Sequence, residues 1–511
     1  MPMVNESPSS TLSGGVWMTT RAVIALLLMI GFYVVALGIA GILLYLPYAE
    51  VVYANRLHLK LAAFCVIGAA IIIWAILPRR DRFEPPWPIV NPREEPKVLH
   101  LLESVARATG QRMPKTVYVT PEVNAWVMQR GGVLGIGGQR VMGLGLPLLA
   151  VLTERELFAV LAHEFGHFYG GDTKLGPIIH RTRGAMGRTI SALEEHSSAL
   201  QWVFLTYGRL FLAVTHAISR HQERLADVLA ASVAGGTALA HALTKIHGAA
   251  LAFDSYWSSE ATPVLANGLL PPLAAGFGRF VRSERVEDAM RTAVDHAMAG
   301  GQGSRYDTHP PLHERLRALA GMPDVGMPEG GPAIALFTRL AARERELMNA
   351  ILKPEVARRL QVTSWEDVAA RVYLPQYEDI SQRYGGYFAG MAIGEMPTPI
   401  RDVATAIAER MAAQRGEAWL EDERLRRGAW AIGAILAAAL AKASWTLTTA
   451  PGDSMRLVNR GTSLDPFSLA DAIVTGGMDA GQWAECCRSL GIADMPWVPP
   501  ASTNPHRITS L

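Results

Sequence analysis

Two histidines four residues apart, His163 and His167, are the side chains of this sequence best suited to bind a metal ion. They lie in the stretch TERELFAVLAHEFGHFYGG, which starts with a helix-capping pattern at Thr153 and Glu156 and continues with helical apolar spacing. Residues four apart share one face of a helix, so both imidazoles can bind one zinc ion through ring nitrogens. Glu164 would reach the attacking water without ligating the metal, so this H-E-x-x-H pattern predicts metal-assisted hydrolysis.

The structural alternative is two helix histidines beside an ion pair. It leaves three polar side chains on a strongly apolar helix without a stated partner, and burying such groups unpaired is costly. The metal interpretation gives all three side chains a role, and it requires a third protein ligand.

A third protein ligand is expected from a second helical stretch, SRHQERLADVLAASVAGG, where Glu223 and Asp227 lie four residues apart. Glu223 is the candidate ligand, and Asp227 would accept the far N–H of a ligand histidine and so fix its tautomer. Asp172, just beyond the two histidines, could do the same. An ordinary salt bridge from Glu223 to Arg220 or Arg224 is the structural alternative.

Four stretches in order resemble the motifs of metallopeptidase family forty-eight, which includes HtpX-type membrane proteases and CAAX prenyl proteases. They are NAWVMQRGG, VMGLGLPLLAVLTERELFAVLAHEFGHFYGGD, SRHQERLADVLAA and DTHPPLHERLRAL, and the resemblance covers residues 97–322. It implies a gluzincin-like zinc peptidase that binds one zinc ion per chain. The site residues that it implies are the zinc ligands His163, His167 and Glu223, the catalytic base Glu164, and the supporting residues Asp172 and Asp227.

A hydrolase of this kind needs a second donor for the oxyanion, besides zinc. Candidates are His309, His221 and Arg220, and the resemblance favours His309 because the family has an HP motif there. Pro310 and Pro311 hold His309 on a turn, where it could gate the metal, donate to the oxyanion, or only start the next helix.

The sequence departs from HtpX-type proteases between the two metal-site stretches. The run Leu200–Ser219 is interrupted by Arg209, and each apolar half is too short to span a membrane. The sequence therefore puts in doubt the further membrane helices near the active site, and residues after 330 lie outside the resemblance.

Composition excludes several classes of protein. Of 511 residues, 50% are hydrophobic and 18% are charged, and the mean hydropathy is +0.17, which excludes a disordered chain. Lys and Arg number 48 against 46 Asp and Glu, without a concentrated basic run, so no nucleic-acid partner is expected. The three cysteines cannot form a disulfide framework and lack C-x-x-C spacing, which fits a reducing compartment.

Two apolar runs near the N-terminus predict transmembrane helices. Residues 22–49 carry no charge, and residues 61–78 form a second charge-free run. The hydrocarbon core of a membrane is about 30 Å thick and needs about 20 residues of helix, so the first run is long enough to cross it. The second run is just long enough if the basic side chains at its ends extend to the headgroups. The alternatives are a cleaved signal peptide for the first run and a buried core helix for the second.

Flanking charges predict the orientation of this hairpin. Five basic residues, Arg21, Arg79, Arg80, Arg82 and Arg93, flank its outer ends, against Arg56 and Lys60 in the connecting loop. The positive-inside rule then predicts a protein of the inner or plasma membrane whose two termini and catalytic region face the cytoplasm.

Glycines and prolines punctuate the region between the membrane and the metal-site helix. The glycine-rich stretch Gly131–Gly145 lacks the third glycine of a dinucleotide loop, since Arg140 occupies that position, and predicts a hairpin turn. The following strand QRVMGLGL could offer a free edge that a peptide substrate joins, or serve as a plain structural strand.

The predicted fold class is mostly α (α+β), with an N-terminal transmembrane hairpin, a gluzincin-like domain that contains a small β-sheet, and a helical C-terminal region. Within the C-terminal region, residues 428–441 are predicted to form a buried helix. The predicted regions are a disordered tail at 1–20, two transmembrane helices at 21–82, a Pro-rich linker at 83–97, the peptidase domain at 98–330, and an accessory region at 331–511.

The function expected is that of a membrane-anchored zinc metalloendopeptidase acting on peptides or proteins in membrane protein quality control or processing. A non-catalytic chaperone or binding protein with structural zinc is the alternative of another class, although structural zinc needs no base such as Glu164. Prenyl-peptide processing is a third possibility, but it requires a membrane chamber that two spans alone cannot build.

Overall fold

The structure, a computed structural model, is mostly helical with small β-sheets, which confirms the predicted fold class. It describes residues 8–77, 85–91, 93–130, 138–168, 175–194, 196–299 and 310–498, and gives the backbone alone for 8–22, 175–181 and 216–218. The chain divides into two compact units, residues 1–250 with 291–351, and residues 251–290 with 352–511. The second unit therefore combines an internal segment with the C-terminal region.

The first unit holds the residues that the motifs single out. Its elements are α1 (Pro8–Ala54), α2 (Leu59–Ile76), α3 (Pro96–Thr109), β1 (Thr116–Thr120), β2 (Ala125–Arg130), β3 (Gln139–Gly145), α4 (Leu146–Val151), α5 (Glu154–Gly166), α6 (Leu175–Leu193), α7 (Ser198–Ala234), α8 (Gly236–Tyr256), α11 (Glu284–Met298), α12 (Leu312–Leu319) and α13 (Leu340–Ile351). The boundaries of the units fall within α8 and α11. The predicted tail, residues 1–20, overlaps the first turns of α1.

Within the described residues, two helices are long and apolar enough to cross a membrane, Val23–Ala54 in α1 and α2. They pack against α6 and the first half of α7 through one apolar cluster. The buried members of this cluster are Met29, Phe32, Ala36, Ala40, Leu43, Cys65, Ala69, Ile72, Ile76, Ala185, Met186, Leu193, Phe204 and Phe211. The helices between the two metal-site motifs thus pack against the apolar hairpin.

A three-stranded sheet has the order β1-β3-β2, with β1 parallel and β2 antiparallel to β3. The central strand β3 corresponds to the stretch QRVMGLGL. Of the two interpretations of this stretch, the free edge is wrong and the structural strand is correct. Both of its edges are occupied, because β1 and β2 each pair with it. The Pro-rich linker adds to the outer side of β1, where Val90 N–H donates to Val117 and Val119 N–H donates to Pro88. The strand β2 lies at the opposite side of the sheet.

The helices α5 and α7 pack antiparallel and very closely. Arg155, at the start of α5, donates to the carbonyl of Ala234 at the end of α7, 3.2 Å away. Eleven residues further along α5, Gly166 faces Ala226, and a Cβ on Gly166 would lie 2.8 Å from the Ala226 Cα. Small residues are required here because larger ones would force the two backbones apart.

Residues that follow the predicted boundary at 330 are bound to the first unit by buried hydrogen bonds and ion pairs. Glu95, at the start of α3, is fully buried and accepts the backbone N–H groups of Thr338 and Arg339. It also accepts the guanidinium of Arg343, which further pairs with Glu94. A buried carboxylate is stable only when it is paired and hydrogen-bonded, so this segment stays with the peptidase region.

The second unit surrounds the buried helix predicted at 428–441. Its elements are α9 (Thr262–Ala266), β4 (Leu269–Leu270), α10 (Leu273–Phe280), α14 (Pro354–Ala357), β5 (Gln361–Val362), α15 (Trp365–Val368), α16 (Leu374–Tyr384), α17 (Ile400–Arg415), α18 (Glu421–Lys442), β6 (Thr446–Thr448), β7 (Arg456–Asn459), β8 (Thr462–Leu464), α19 (Pro466–Thr475) and α20 (Ala480–Ser489). The helix α18 is buried almost all round from Gly428 to Leu440, which confirms the prediction of a core helix there. Strand β4 of the internal segment pairs with β5, so residues 251–290 are part of this fold.

Candidate metal centre

The first metal-site helix begins as the sequence predicts. In α5, the Thr153 hydroxyl accepts the N–H of Glu156, and the Glu156 carboxylate accepts the N–H of Thr153. The helix ends near His167, which is its C-cap residue but keeps right-handed helical angles. The ligand atoms of His163, Glu164 and His167 therefore converge, all within 4.8 Å of one another.

The helix α7 brings Glu223 against both histidines. One carboxylate oxygen of Glu223 lies 3.5 Å from Nε2 of His163, and the other lies 3.7 Å from Nε2 of His167. The side chains of His163 and Glu223 are buried, whereas that of His167 is 26% exposed. The cluster thus joins a dry interior on one side to solvent on the other.

These distances fit a shared metal ion. Two ligand atoms bound at about 2.1 Å from a tetrahedral zinc ion lie about 3.4 Å apart. Ordinary N–H···O hydrogen bonds are shorter, about 2.7–3.2 Å. Two imidazole nitrogens and one carboxylate are also a donor set that zinc accepts in hydrolases. The residues present therefore fit zinc in both spacing and chemistry.

Asp227 orients the first histidine. Its Oδ1 lies 2.8 Å from Nδ1 of His163, on the far side of the ring from Glu223. In the neutral form of the ring, which a metal ion requires, this contact places the proton on Nδ1 and leaves the Nε2 lone pair directed toward Glu223 and the cluster. The geometry is that of a carboxylate that supports a metal-binding histidine.

Arg315 holds Asp227 in turn. From α12, its Nη2 donates to Asp227 Oδ1 at 2.6 Å and its Nε donates to Oδ2 at 2.9 Å. A bidentate guanidinium–carboxylate pair is both strong and directional. Since Asp227 is buried and the Arg315 side chain is only 10% exposed, the pair fixes the carboxylate against His163.

The two carboxylates beside His163 favour a positive charge on its ring when no metal ion is bound. Burial disfavours the protonated ring of His163, but hydrogen bonds with Asp227 and Glu223 outweigh it and raise the pKa of His163 to about 9. Burial also disfavours the ionised form of Asp227, but hydrogen bonds from His163 and Arg315 hold its pKa below the ordinary value.

Three further predicted site residues, Asp172, His309 and Arg220, are not among the residues that the structure brings together in this cluster. Asp172 and His309 lie outside the described residues. Arg220 is exposed on α7, one turn before Glu223. Pro310, directly after His309, is buried, and α12 follows it and carries Arg315.

Sequence reasoning missed Arg315, although it stands within the stretch DTHPPLHERLRAL. Two other arginines of the chain flank Glu223 itself, and several more lie on amphipathic helices, so residue type gave no reason to choose this one. Its position six residues after His309 is the only signal available in the sequence.

Comparison with known proteins addresses the same region. Residues 92–322 match the model of peptidase family M48. This match confirms the resemblance that the motifs indicate, and a family of metallopeptidases implies a metal ion at the site. Three similar relatives are a "Protease HtpX homolog" of Tropheryma whipplei (strain Twist), "Protease HtpX" of Pseudomonas fluorescens and a "Protease HtpX homolog" of Pyrococcus abyssi.

The matches to these relatives stay within part of each chain. The Tropheryma protein is 27% identical over 254 residues, which are 46% of this chain and 75% of that protein. The Pseudomonas protein is 24% identical over 245 residues, which are 44% of this chain and 72% of that protein. The Pyrococcus protein is 32% identical over 174 residues, which are 31% of this chain and 58% of that protein. No solved structure matches the chain. The family match and these relatives support a membrane-associated metalloprotease.

Proposed function

We propose that this protein is a membrane-anchored, zinc-dependent endopeptidase that hydrolyses peptide bonds in proteins of the membrane or near it. The observation that carries the proposal is the position of Glu223, whose two oxygens lie 3.5 and 3.7 Å from the Nε2 atoms of His163 and His167. In this proposal the two histidines and Glu223 hold one zinc ion, and Glu164 is the base.

Zinc, when bound, supplies a Lewis acid that polarises the scissile carbonyl and lowers the pKa of water to about 7. The Glu164 carboxylate accepts the proton of the attacking water and then passes it to the leaving amine. Asp227 keeps the Nδ1 proton of His163 in place, and Arg315 keeps Asp227 in place. Asp172 is proposed to support His167 in the same way.

His309 is proposed to act next to the metal, either as an oxyanion donor or as a ligand that closes the site until substrate arrives. Support comes from the chain that follows it, since Arg315 ties α12 to Asp227. Arg220 is the weaker candidate for the donor role, because its side chain is exposed.

The membrane part of the proposal rests on the length and apolar character of α1 and α2. Both termini and the catalytic region are proposed to face the cytoplasm, since five flanking basic residues lie on that side against two in the loop. Reporter fusions at Gly15, Asn55 and the C-terminus check this orientation. A C-terminal reporter active only outside the cytoplasm would invert it.

The function is tested by measuring zinc content and cleavage of an unfolded protein in detergent, with and without a chelator. His163→Ala, His167→Ala and Glu223→Ala should lose zinc and activity together. Glu164→Gln should keep zinc and lose turnover by a factor on the order of 10²–10⁴, because only the proton transfer is removed. Glu103→Gln, an exposed change on α3, is the matched control and should leave both unchanged.

Two results would contradict the proposal. Full zinc and normal cleavage in Glu223→Ala would exclude that residue as a ligand. Zinc binding without chelator-sensitive cleavage in the unaltered protein would favour the non-catalytic alternative.

A further inference from the structure

We infer that Arg140 selects the substrates of this peptidase by binding a carboxylate of the substrate beside the metal centre. The inference rests on the proposed function and adds the class of peptide that the site prefers. The carboxylate belongs either to an acidic side chain near the scissile bond or to the C-terminus of the peptide.

Arg140 lies where the central strand of the sheet meets the end of the metal-site helix. Along β3, Arg140 alternates with Met142 and Leu144, which are buried on the same face of the sheet. The guanidinium carbon of Arg140 stands 4.1 Å from the centre of the Phe168 ring. Phe168 directly follows His167, whose side chain is 26% exposed. Arg140 therefore lies beside the end of α5 at which the cluster opens to solvent.

Two oxygen acceptors and one aromatic ring hold the Arg140 side chain in place. Its Nη1 donates to the carbonyl of Arg112 at 3.1 Å, and its Nη2 donates to Oε1 of Gln111 at 3.2 Å. The N–H of Phe168 donates to the carbonyl of Phe165 at 3.0 Å, which ties the ring-bearing residue to α5. Aromatic faces attract cations, so the ring stabilises the guanidinium above it. A guanidinium that is already held loses little freedom when it binds a ligand.

Part of the hydrogen-bonding capacity of Arg140 remains unused. A guanidinium has five N–H donors, and two of them bond to the oxygens of Arg112 and Gln111, so three remain. Neighbouring N–H groups of this kind bind a carboxylate through two parallel hydrogen bonds. Arg140 is only partly buried, so a substrate can reach these donors.

The charge of Arg140 also lacks an internal counter-ion. Neither Arg140 nor the exposed Arg112 pairs with a carboxylate among the residues that the structure describes, whereas Arg315 on α12 pairs with Asp227. Burial and, second, the like charge of Arg112 lower the pKa of Arg140. An anionic ligand would compensate both effects. The anionic groups of an unmodified peptide are carboxylates, so these are the ligands that a peptidase would bind here.

Competition between paired peptides tests this inference on the full-length protein in detergent. The peptides are taken from the sites that the unaltered protein cleaves in an unfolded protein. Each position near the scissile bond carries Asp in one peptide and Asn in its pair, and a further pair has a free or an amidated C-terminus. Mass spectrometry of each mixture gives the ratio of kcat/KM within the pair. Fluorescence anisotropy gives the affinities of the same peptides for the Glu164→Gln variant.

We expect the acidic member of one pair to be preferred by about 10- to 100-fold, the usual effect of a hydrogen bond to a charged group. Arg140→Gln should abolish this preference, and Arg140→Lys should keep only part of it, because an ammonium cannot form the bidentate contact. Arg107→Gln, which removes an exposed charge on α3, is the matched control and should keep the ratio unchanged. Since each ratio is measured within one preparation, a loss of folded protein does not affect it.

The peptide pair that shows the preference identifies the source of the carboxylate, a side chain or the C-terminus, and either source supports the inference. An equal loss of cleavage of both members in Arg140→Gln would make Arg140 only a positioning residue for Phe168 and would overturn it. A preference that survives in Arg140→Gln, or its absence from the unaltered protein, would also overturn it, while chelator-sensitive cleavage would still support the proposed function. No cleavage of any peptide by the zinc-bound protein would refute the proposed function itself.

Discussion

Gly166 of α5 lies against Ala226 of α7 so closely that a Cβ at position 166 would stand 2.8 Å from the Ala226 Cα and 3.0 Å from its Cβ. This contact falls between His163 and His167 on one helix and between Glu223 and Asp227 on the other. The distance between the two ligand-bearing helices therefore depends on the absence of a side chain at position 166.

Gly166→Ala should separate α5 and α7 and weaken metal binding. The forced shift should lower the free energy of unfolding by about 1–3 kcal/mol, the usual cost of overpacking. Zinc affinity measured by chelator competition and thermal unfolding check this together. Gly187→Ala on α6 is the matched control, since a Cβ there meets nothing within 4 Å, and it should be neutral or slightly stabilising. Unchanged zinc affinity in Gly166→Ala would show that the helices can shift without cost.

Arg315→Ala should reduce zinc affinity about 10- to 100-fold, because Asp227 would lose the partner that holds it against His163. Arg315→Lys should recover only part of the loss, since an ammonium cannot reproduce the bidentate contact. Arg317→Ala, an exposed change two residues along α12, is the control. Equal affinity in all three variants would make the Arg315–Asp227 pair irrelevant to the metal.

His309→Ala separates three roles for this residue. An oxyanion donor predicts turnover lower by a factor on the order of 10² or more with zinc retained. A gating ligand predicts faster and less selective cleavage. Steady-state kinetics and zinc content of the purified variant distinguish the two, and unchanged kinetics at unchanged stability would leave His309 as a turn residue.

Glu260, in the second unit, should reduce stability as the pH rises. Burial raises its pKa above the ordinary value, more than the N–H of Gly452 and the charge of Arg285 lower it. The folded state therefore holds its proton to higher pH than the unfolded state, so stability is lost as the pH rises from the unfolded pKa through the folded one. Glu260→Gln should be more thermally stable than the unaltered protein at neutral pH and equal to it in acid.

Glu366→Gln is the contrasting variant for that measurement. Hydrogen bonds from its own backbone N–H and from Arg279 lower the pKa of Glu366, so its ionised form favours the folded state. Its replacement should leave the protein equal or slightly less stable at neutral pH. A stability profile of Glu260→Gln parallel to that of the unaltered protein at every pH would refute the role of Glu260.

The sequence by itself determined the features that depend on neighbouring residues. The capping box of Thr153 and Glu156, the helical spacing of His163 and His167, and the apolar run of α1 all depend on residues close in the chain. Helix geometry and hydropathy are enough to predict these three features without knowledge of the rest of the chain.

Only the tertiary structure decided the relationships between distant residues. The pair of Arg315 and Asp227 joins positions 88 residues apart, and residue type alone did not distinguish this arginine from the others. Strand order was equally inaccessible: the stretch QRVMGLGL was compatible with an edge strand or an inner strand, and only the pairing with β1 and β2 on both sides decided it. The packing of α6 and α7 against the apolar hairpin was also decided by contacts between distant residues. Arg188 and Tyr207 can lie there because they donate to the carbonyls of Ala75 and Leu28, and a buried polar group is costly only when it is unpaired.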